Sequence, residues 1–171
     1  MIGIRTESPE DFDYIDEVLA AAFSRPDEAR IVRRLRETPD LVLALAAESH
    51  GELVGHIAFS RLAATSAHGV AQLACLAPMA VRPDRQRKGI GSALIRRGLE
   101  MIRDMKFPAV VVLGDPVYYG RFGFKIETAA LLGCPYPGPY LQALELTPGC
   151  LRDMGPARLD FAAPLMPGGE I

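Results

Sequence analysis

Two spacings of apolar residues divide the chain into helical and extended stretches. In residues 8–22, "SPEDFDYIDEVLAAA", Phe12, Ile15, Val18 and Leu19 recur at the helical interval, behind Ser8 as an N-cap, Pro9 at the first helical position and acids in the first turn. A second helix follows Pro26 through "DEARIVRRLRE", where Ile31, Val32 and Leu35 form the buried stripe and the arginines a solvated face. At Leu41 the period changes. "LVLALAAE" is apolar throughout and too short for a buried helix, and "SHG" separates it from "ELVGHIAFS", which predicts a hairpin. In its second arm Leu53, Ile57 and Phe59 share one face, and His56, Ala58 and Ser60 the other. Residues 61–71, rich in Ala, Ser and Gly, read as a loop. "QLACLAPMAV" is a further strand with Leu73, Cys75, Ala77, Met79 and Val81 alternating on one face. Its Pro78 cannot donate to a ladder and predicts a gap in the pairing.

Residues 89–104 carry the clearest helical stripe, Ile90, Leu94, Ile95, Leu99 and Ile102, with Arg96, Arg97, Glu100 and Arg103 opposite. A short buried strand "AVVVLG", a turn or short helix "PVYYGRF", a strand "GFKIETAAL" and a strand "YLQALEL" complete the pattern. The succession of helices and strands predicts a mixed α/β sheet with helices on its faces. At 171 residues the chain fits one domain. Residues 1–165 are assigned to it, and 166–171 are expected to be a flexible tail.

Composition narrows the function classes. A hydrophobic share of 49% against 23% charged residues suits a globular protein, and no apolar run reaches the ~20 residues of a membrane span. The N-terminus turns acidic without an apolar signal core, so a cytoplasmic location is expected. The three cysteines, Cys75, Cys134 and Cys150, have no paired spacing and predict neither a disulfide framework nor a metal site. A net charge of −2 gives the molecule no general attraction for nucleic acid or anionic membrane. Positive charge matters only locally: Arg82, Arg85, Arg87 and Lys88 against the single acid Asp84.

That cationic stretch, "RPDRQRKGIGSAL", joins a strand to a helix through Gly89 and Gly91. Free N–H groups at a helix start, with the dipole behind them, form an anion site, and glycines allow a diphosphate to approach main chain. The alternative is a solvated, Arg-rich turn. A dinucleotide fingerprint would need a third glycine where Leu94 stands, and no phosphate loop of the G-x-x-x-x-G-K-[ST] type occurs.

"MAV", then "QRKGIG", then "YGRFGF" after a helix and a strand together resemble the GNAT superfamily of acetyl-CoA-dependent N-acetyltransferases. Gln86, Gly89 and Gly91 match the family's [Q/R]-x-x-G-x-[G/A], and Tyr119, Gly123 and Phe124 its Y-x-x-x-G-F. The "LGDPxYYxRFGF" stretch is similar to a group of small bacterial members. The resemblance implies a central mixed sheet of about six to seven strands, splayed at the cofactor site and flanked by about four helices. It implies acetyl-CoA as cosubstrate, held at Met79, Ala80 and Val81 by its pantetheine arm and at Gln86, Arg87, Lys88, Gly89, Gly91 and Ser92 by its diphosphate. The Met79 N–H would polarise the thioester carbonyl and Tyr119 would act as general acid. Many members carry Asn seven residues before that tyrosine, where this chain has Val112.

The reaction needs an amine of pKa near ~10 to lose a proton, a preplaced donor for an oxyanion, and a proton for a thiolate related to a thiol of pKa roughly 8.5. For the base, Asp115 is the first candidate and equally a turn residue; Glu145 faces either the site or the surface. His56 is a base or a structural hydrogen-bonder, and Cys75 an acyl acceptor or a core residue. The segment "GCPYPGPYLQALEL" is expected to wall the acceptor pocket through Tyr136 and Tyr140. Two functions stay open: direct acetyl transfer to a primary amine of a small molecule or peptide end, and an acyl-CoA-binding sensor or regulatory module without turnover. Homodimers are common in the family, and the sequence does not decide the point. Nucleic-acid binding lacks an aromatic-basic platform.

Overall fold

A short edge strand opens the chain in the computed structural model, which describes residues 1–136 and 138–166. Strand β1 (Ile2–Thr6) is followed by a 3-10 turn (Pro9–Asp11), α1 (Phe12–Phe23) and α2 (Asp27–Arg36). Next come β2 (Leu41–Ser49), β3 (Glu52–Ser66), β4 (Gly69–Val81), α3 (Ile90–Asp104), β5 (Ala109–Leu113) and α4 (Pro116–Gly120). Strands β6 (Leu132–Gly133) and β7 (Leu141–Glu145), helix α5 (Cys150–Met154) and β8 (Ala157–Phe161) complete the order. The strands form one eight-stranded sheet in the order β1-β2-β3-β4-β5-β7, with β8 pairing the far half of β3 and β6 pairing β8. Most pairings are antiparallel; β4–β5 and β6–β8 are parallel. Among the described residues no helix is long and apolar enough to cross a membrane.

The mixed architecture matches the expectation, with one strand more than the upper figure and five helices among the described residues. Strand β1 escaped the pattern because four of its five residues are exposed and carry no alternation. The expected loop 61–71 is instead the far end of a long hairpin. Leu62 and Ala64 are buried where β8 pairs alongside this half of β3, so β3 runs to Ser66 and β4 starts at Gly69. The expected strand 123–131 makes a single bridge, Lys125 to Ala143, before a 3-10 turn at Glu127–Ala129. Of the expected tail, Met166 packs against the core and 167–171 lie outside the described residues.

One irregularity in β4 positions everything that follows. Ile57 pairs with Met79 and Phe59 with Leu76, so β4 spends three steps where β3 spends two, a β-bulge around Pro78. Because side chains alternate, the extra residue reverses the faces. Before it, Leu73, Cys75 and Ala77 pack with Val111, Leu159 and Phe161. After it, Met79 and Val81 pack on the opposite side with Ile90 and Leu94 of α3, while Ala80 lies against Ile15, Leu19 and Val32 of α1 and α2. The single alternating face expected for Leu73 through Val81 is therefore two half-faces. Helix α3 approaches the sheet closely because Gly98 leaves room for the Phe59 ring, which a Cβ would meet at 2.4 Å.

Candidate active site

Past Cys75 the sheet opens. The parallel pairing of β4 with β5 is confined to Ala74–Val110 and Cys75–Val111, although β4 continues to Val81 and β5 to Leu113. Pro78, which has no N–H, lies just beyond the last pair, where the sequence predicts a gap. The Arg82 N–H donates to the Val54 carbonyl at 2.9 Å. By alternation the main-chain groups of Met79 and Val81 then face away from β3, into the opening. The Val81 carbonyl is already engaged, since the Gln86 side-chain amide donates to it at 3.1 Å.

The turn after β4 contains a 3-10 helix (Pro83–Arg85), and Gly89 caps α3 with φ +82, in the left-handed region where glycine is unstrained. The first helical bond runs from the Ala93 N–H to the Gly89 carbonyl at 3.0 Å, which leaves the preceding N–H groups without acceptors inside the helix. A cavity of about 610 Å³ lies over this turn and along the end of β4. Met79, Ala80, Val81, Gln86, Arg87, Gly89, Gly91 and Ser92 all line it, as the sequence predicts for the cosubstrate site. Lys88 does not; its ammonium donates to the Asp84 carbonyl at 3.0 Å. Tyr118 and Arg121 line the cavity too and were not foreseen. A Cβ on Gly91 would stand 2.7 Å from the Tyr118 hydroxyl, so this glycine makes room for that phenol.

The cationic cluster is largely neutralised within the chain. Arg82 holds Asp84 through two contacts of 3.1 Å and Glu52 at 3.4 Å, while Arg85 reaches Glu52 at 3.3 Å. Glu52, at the hairpin turn between β2 and β3, had given no signal in the sequence. These partly exposed pairs fix the shape of the turn more than they stabilise it.

A second cavity, about 280 Å³, opens where β4 and β5 part, and Phe23 and Met79 line both cavities. Tyr119 lines this smaller cleft with Leu76, Ala77, Pro78 and Leu113. Its ring stands edge-on to Tyr118, centroids 5.1 Å apart, and to Phe124 at 5.9 Å. It also lies flat against Gly114, whose missing Cβ would come within 2.4 Å of it. Burial pushes the Tyr119 phenol up to about 12, so it holds its proton through the neutral range. Burial also raises the Tyr118 phenol, while Arg121 and Ser92 beside it act the other way. The adjacent tyrosines thus serve different cavities.

The expected bases do not come together there. The Asp115 carboxylate is exposed and accepts from the Val117 N–H at 2.9 Å, capping α4, and Asp115 is not among the residues lining either cavity. Glu145 accepts from the Gly149 and Leu151 N–H groups, both at 2.9 Å, and so ties down α5. His56 is fully buried and bonds Glu7 at 2.9 Å, with Arg36 holding the same carboxylate at 2.9 and 3.0 Å. Cys75 is buried in the core and its thiol is pushed up to about 12 by that burial, which removes it as a nucleophile. Tyr136 packs edge-on against Phe161, and Tyr140 is exposed; neither is among the described residues that line the cleft. Val112, at the position of the family's Asn, is buried in the core. The smaller cleft is walled on its other side by Phe23, Glu28, Ile31 and Leu165. Glu28 reads in the sequence as a first-turn acid of α2, with nothing to mark it for a cleft.

Residues 3–126 match the family model of the GNAT acetyltransferase domain. The chain belongs to the GNAT acetyltransferases. It is 36% identical over 136 residues to the N-acetyltransferase YhbS of Escherichia coli K12, covering 79% of this chain and 80% of that one. It is 40% identical over 128 residues to YjhQ of the same organism, covering 74% and 69% respectively. Among solved structures, YhbS from Escherichia coli in complex with CoA superposes with a TM-score of 0.87 at 31% identity, covering 95% of this chain and 91% of that one. A GNAT family acetyltransferase from Brucella melitensis in complex with acetyl-CoA gives 0.80 at 35% identity, covering 97% and 99%. The sheet order, the strands parted beyond Cys75 and the glycine turn before α3 are the features this GNAT chain presents at its site.

Proposed function

We propose that this GNAT enzyme transfers an acetyl group from acetyl-CoA directly to a primary amine, both substrates bound at once in the joined cavities. The observation that carries the reading is the opening between β4 and β5: it turns the Met79 and Val81 main chain toward a cavity that ends on the free N–H groups of α3. The residues fit the group. Gly89 leaves the turn bare, Arg87 and Arg121 border it, and the two relatives above are described with CoA or acetyl-CoA bound. Bound acetyl-CoA supplies the acetyl thioester. The Met79 N–H is the preplaced donor for charge developing on the carbonyl oxygen. Tyr119, protonated at neutral pH and lining the smaller cleft beside Met79, donates to the departing thiolate.

A second reading keeps the fold as an acyl-CoA sensor, favoured by Asp115 and Glu145 both being spent on helix caps. Tyr119→Phe separates the two, since an enzyme loses turnover while retaining CoA affinity and a sensor loses neither. The test of binding is the CoA-induced rise in melting temperature, measured for the native chain and for Gly89→Glu. At ~100 Kd of ligand the native chain gains roughly 2.7 kcal/mol, and the variant loses that increment whatever its own basal stability. An equal increment in the variant, or none in the native chain, refutes the assignment of the turn.

A further inference from the structure

Among the described residues the smaller cleft is lined by one acidic side chain. Its lining residues Phe23, Ile31, Leu76, Met79, Leu113 and Leu165 are apolar; Tyr119 lines it too, and Glu28 projects from the first turn of α2. The Glu28 side chain is only 10% exposed, so its charge needs a partner. Arg25 provides it: Nη2 donates to Oε1 at 2.6 Å, and Nε to Oε2 at a longer 3.3 Å. A carboxylate has about four acceptor positions, and Arg25 occupies one on each oxygen. Oε2, the weakly held atom, therefore retains capacity for a second donor. Arg25 is itself 60% exposed and is not among the residues lining the cleft.

We propose that Glu28 is the residue that recognises the acceptor: it hydrogen-bonds the acceptor's amino group, and the cleft takes small apolar monoamines that carry no carboxylate beside the nitrogen. This rests on the acetyl-transfer reading above and names its substrate class. Three features support it. The cleft volume of about 280 Å³ falls at the lower edge of ligand pockets, which run from ~300 Å³ upward. The walls reward an apolar body and, among the described residues, offer an anionic group no cationic side chain. An α-carboxylate would sit against Glu28 among apolar side chains, where like charges repel most strongly. The Arg25 pair holds the Glu28 carboxylate in place before the amine arrives, so an incoming amine N–H meets an accepting oxygen without rearrangement.

The experiment uses amines in matched pairs, phenethylamine with phenylalanine and pentylamine with norleucine, each pair differing by the α-carboxylate. Thiol release from acetyl-CoA is followed for the native chain and for Glu28→Gln, alongside the CoA-induced shift in melting temperature. The native chain should use the carboxylate-free member with kcat/KM at least about tenfold higher. Glu28→Gln should raise KM for that amine about tenfold, change kcat little and leave the CoA-induced shift intact. An unchanged KM in the variant overturns the proposal, as does equal use of the carboxylated amines by the native chain. So does a native chain that binds CoA and acetylates none of the four. Failure to bind CoA at all refutes the acetyl-transfer reading itself, and with it this one.

Discussion

Gly114 determines where the Tyr119 ring can lie, and Gly114→Ala tests the role of that ring without touching the cavity over the glycine turn. The added Cβ would stand 2.4 Å from one ring carbon, 2.9 Å from the next and 3.5 Å from a third. Carbon atoms rest at about 3.5–4.0 Å, so the ring must move by roughly 1 Å. It cannot move freely, since Tyr118 and Phe124 flank it edge-on. Overpacking of this kind costs ~1–3 kcal/mol, and for a chain of this size each kcal/mol lowers the melting temperature by about 2–4 °C. The larger effect is on rate: a displacement of ~1 Å at a reacting group costs on the order of a hundredfold in kcat. The assay is kcat with a saturating amine, the CoA-induced stabilisation serving as control. It should be unchanged, because Gly114 lies outside the larger cavity. A variant with lowered melting temperature but native kcat would refute the acid role of Tyr119, for the hydroxyl would have moved without consequence.

The raised Tyr119 phenol predicts a pH profile. A group that acts protonated and has its pKa lifted to about 12 keeps working as pH climbs past the ordinary phenol value of about 10, and fails only as pH nears 12. With a saturating amine, kcat should therefore show no fall up to about pH 10.5, and a half-loss near pH 10 would contradict it. Glu7 makes the opposite kind of contribution. Burial alone would raise its carboxyl, but hydrogen bonds to His56 and Arg36 outweigh this and hold it at about 2, against an ordinary 4.5. A depressed acid stabilises the fold above its unfolded pKa and loses that contribution as pH falls through the folded one. The stability gap between the native chain and Glu7→Gln, up to about 3 kcal/mol, should hold above about pH 5 and close toward pH 2 in urea unfolding. Other acids titrate in both proteins and cancel; a gap independent of pH would refute the assignment.

The helices and the central hairpin were legible because a long periodic face reports burial directly. Ile90, Leu94, Ile95 and Ile102 are all nearly inaccessible, as their spacing predicts. What escaped was structure held by partners far away in sequence. Strand β1 exposes most of its side chains and exists because Ile2–Thr6 pairs with β2. The Ala- and Ser-rich stretch 61–66 is extended because β8 pairs with it, about a hundred residues later in the chain. The glycine turn was legible for the opposite reason, since its function needs main chain and leaves specific residues behind. Asp115, Glu145 and His56 have the right chemistry and the wrong neighbours: each spends its polar atoms on a cap or a buried ion pair. Nothing in residue type distinguishes a carboxylate that caps from one that lines a cleft. Glu28 shows the converse, a first-turn acid whose place in the cleft depends on how α2 packs against α1.

The departure of β4 from regular alternation is what joins these parts into one site. Were β4 to run in regular alternation through Met79, that residue would share a face with Leu73 and Cys75, buried opposite α3. With the bulge, Met79 reaches the side on which α3 begins and lines both cavities. Pro78 stands at the same place, and β4 has no β5 partner beyond Cys75, so the strand is unpaired on one side where its faces exchange. Two consequences of one local irregularity, a reversed face and an unpaired edge, thus bring a bare main chain, the glycine turn and the Tyr119 phenol to a single opening. A sheet with unbroken register here would be more regular, and its hydrogen bonds would close the gap through which the Met79 and Val81 main chain reaches the cavity.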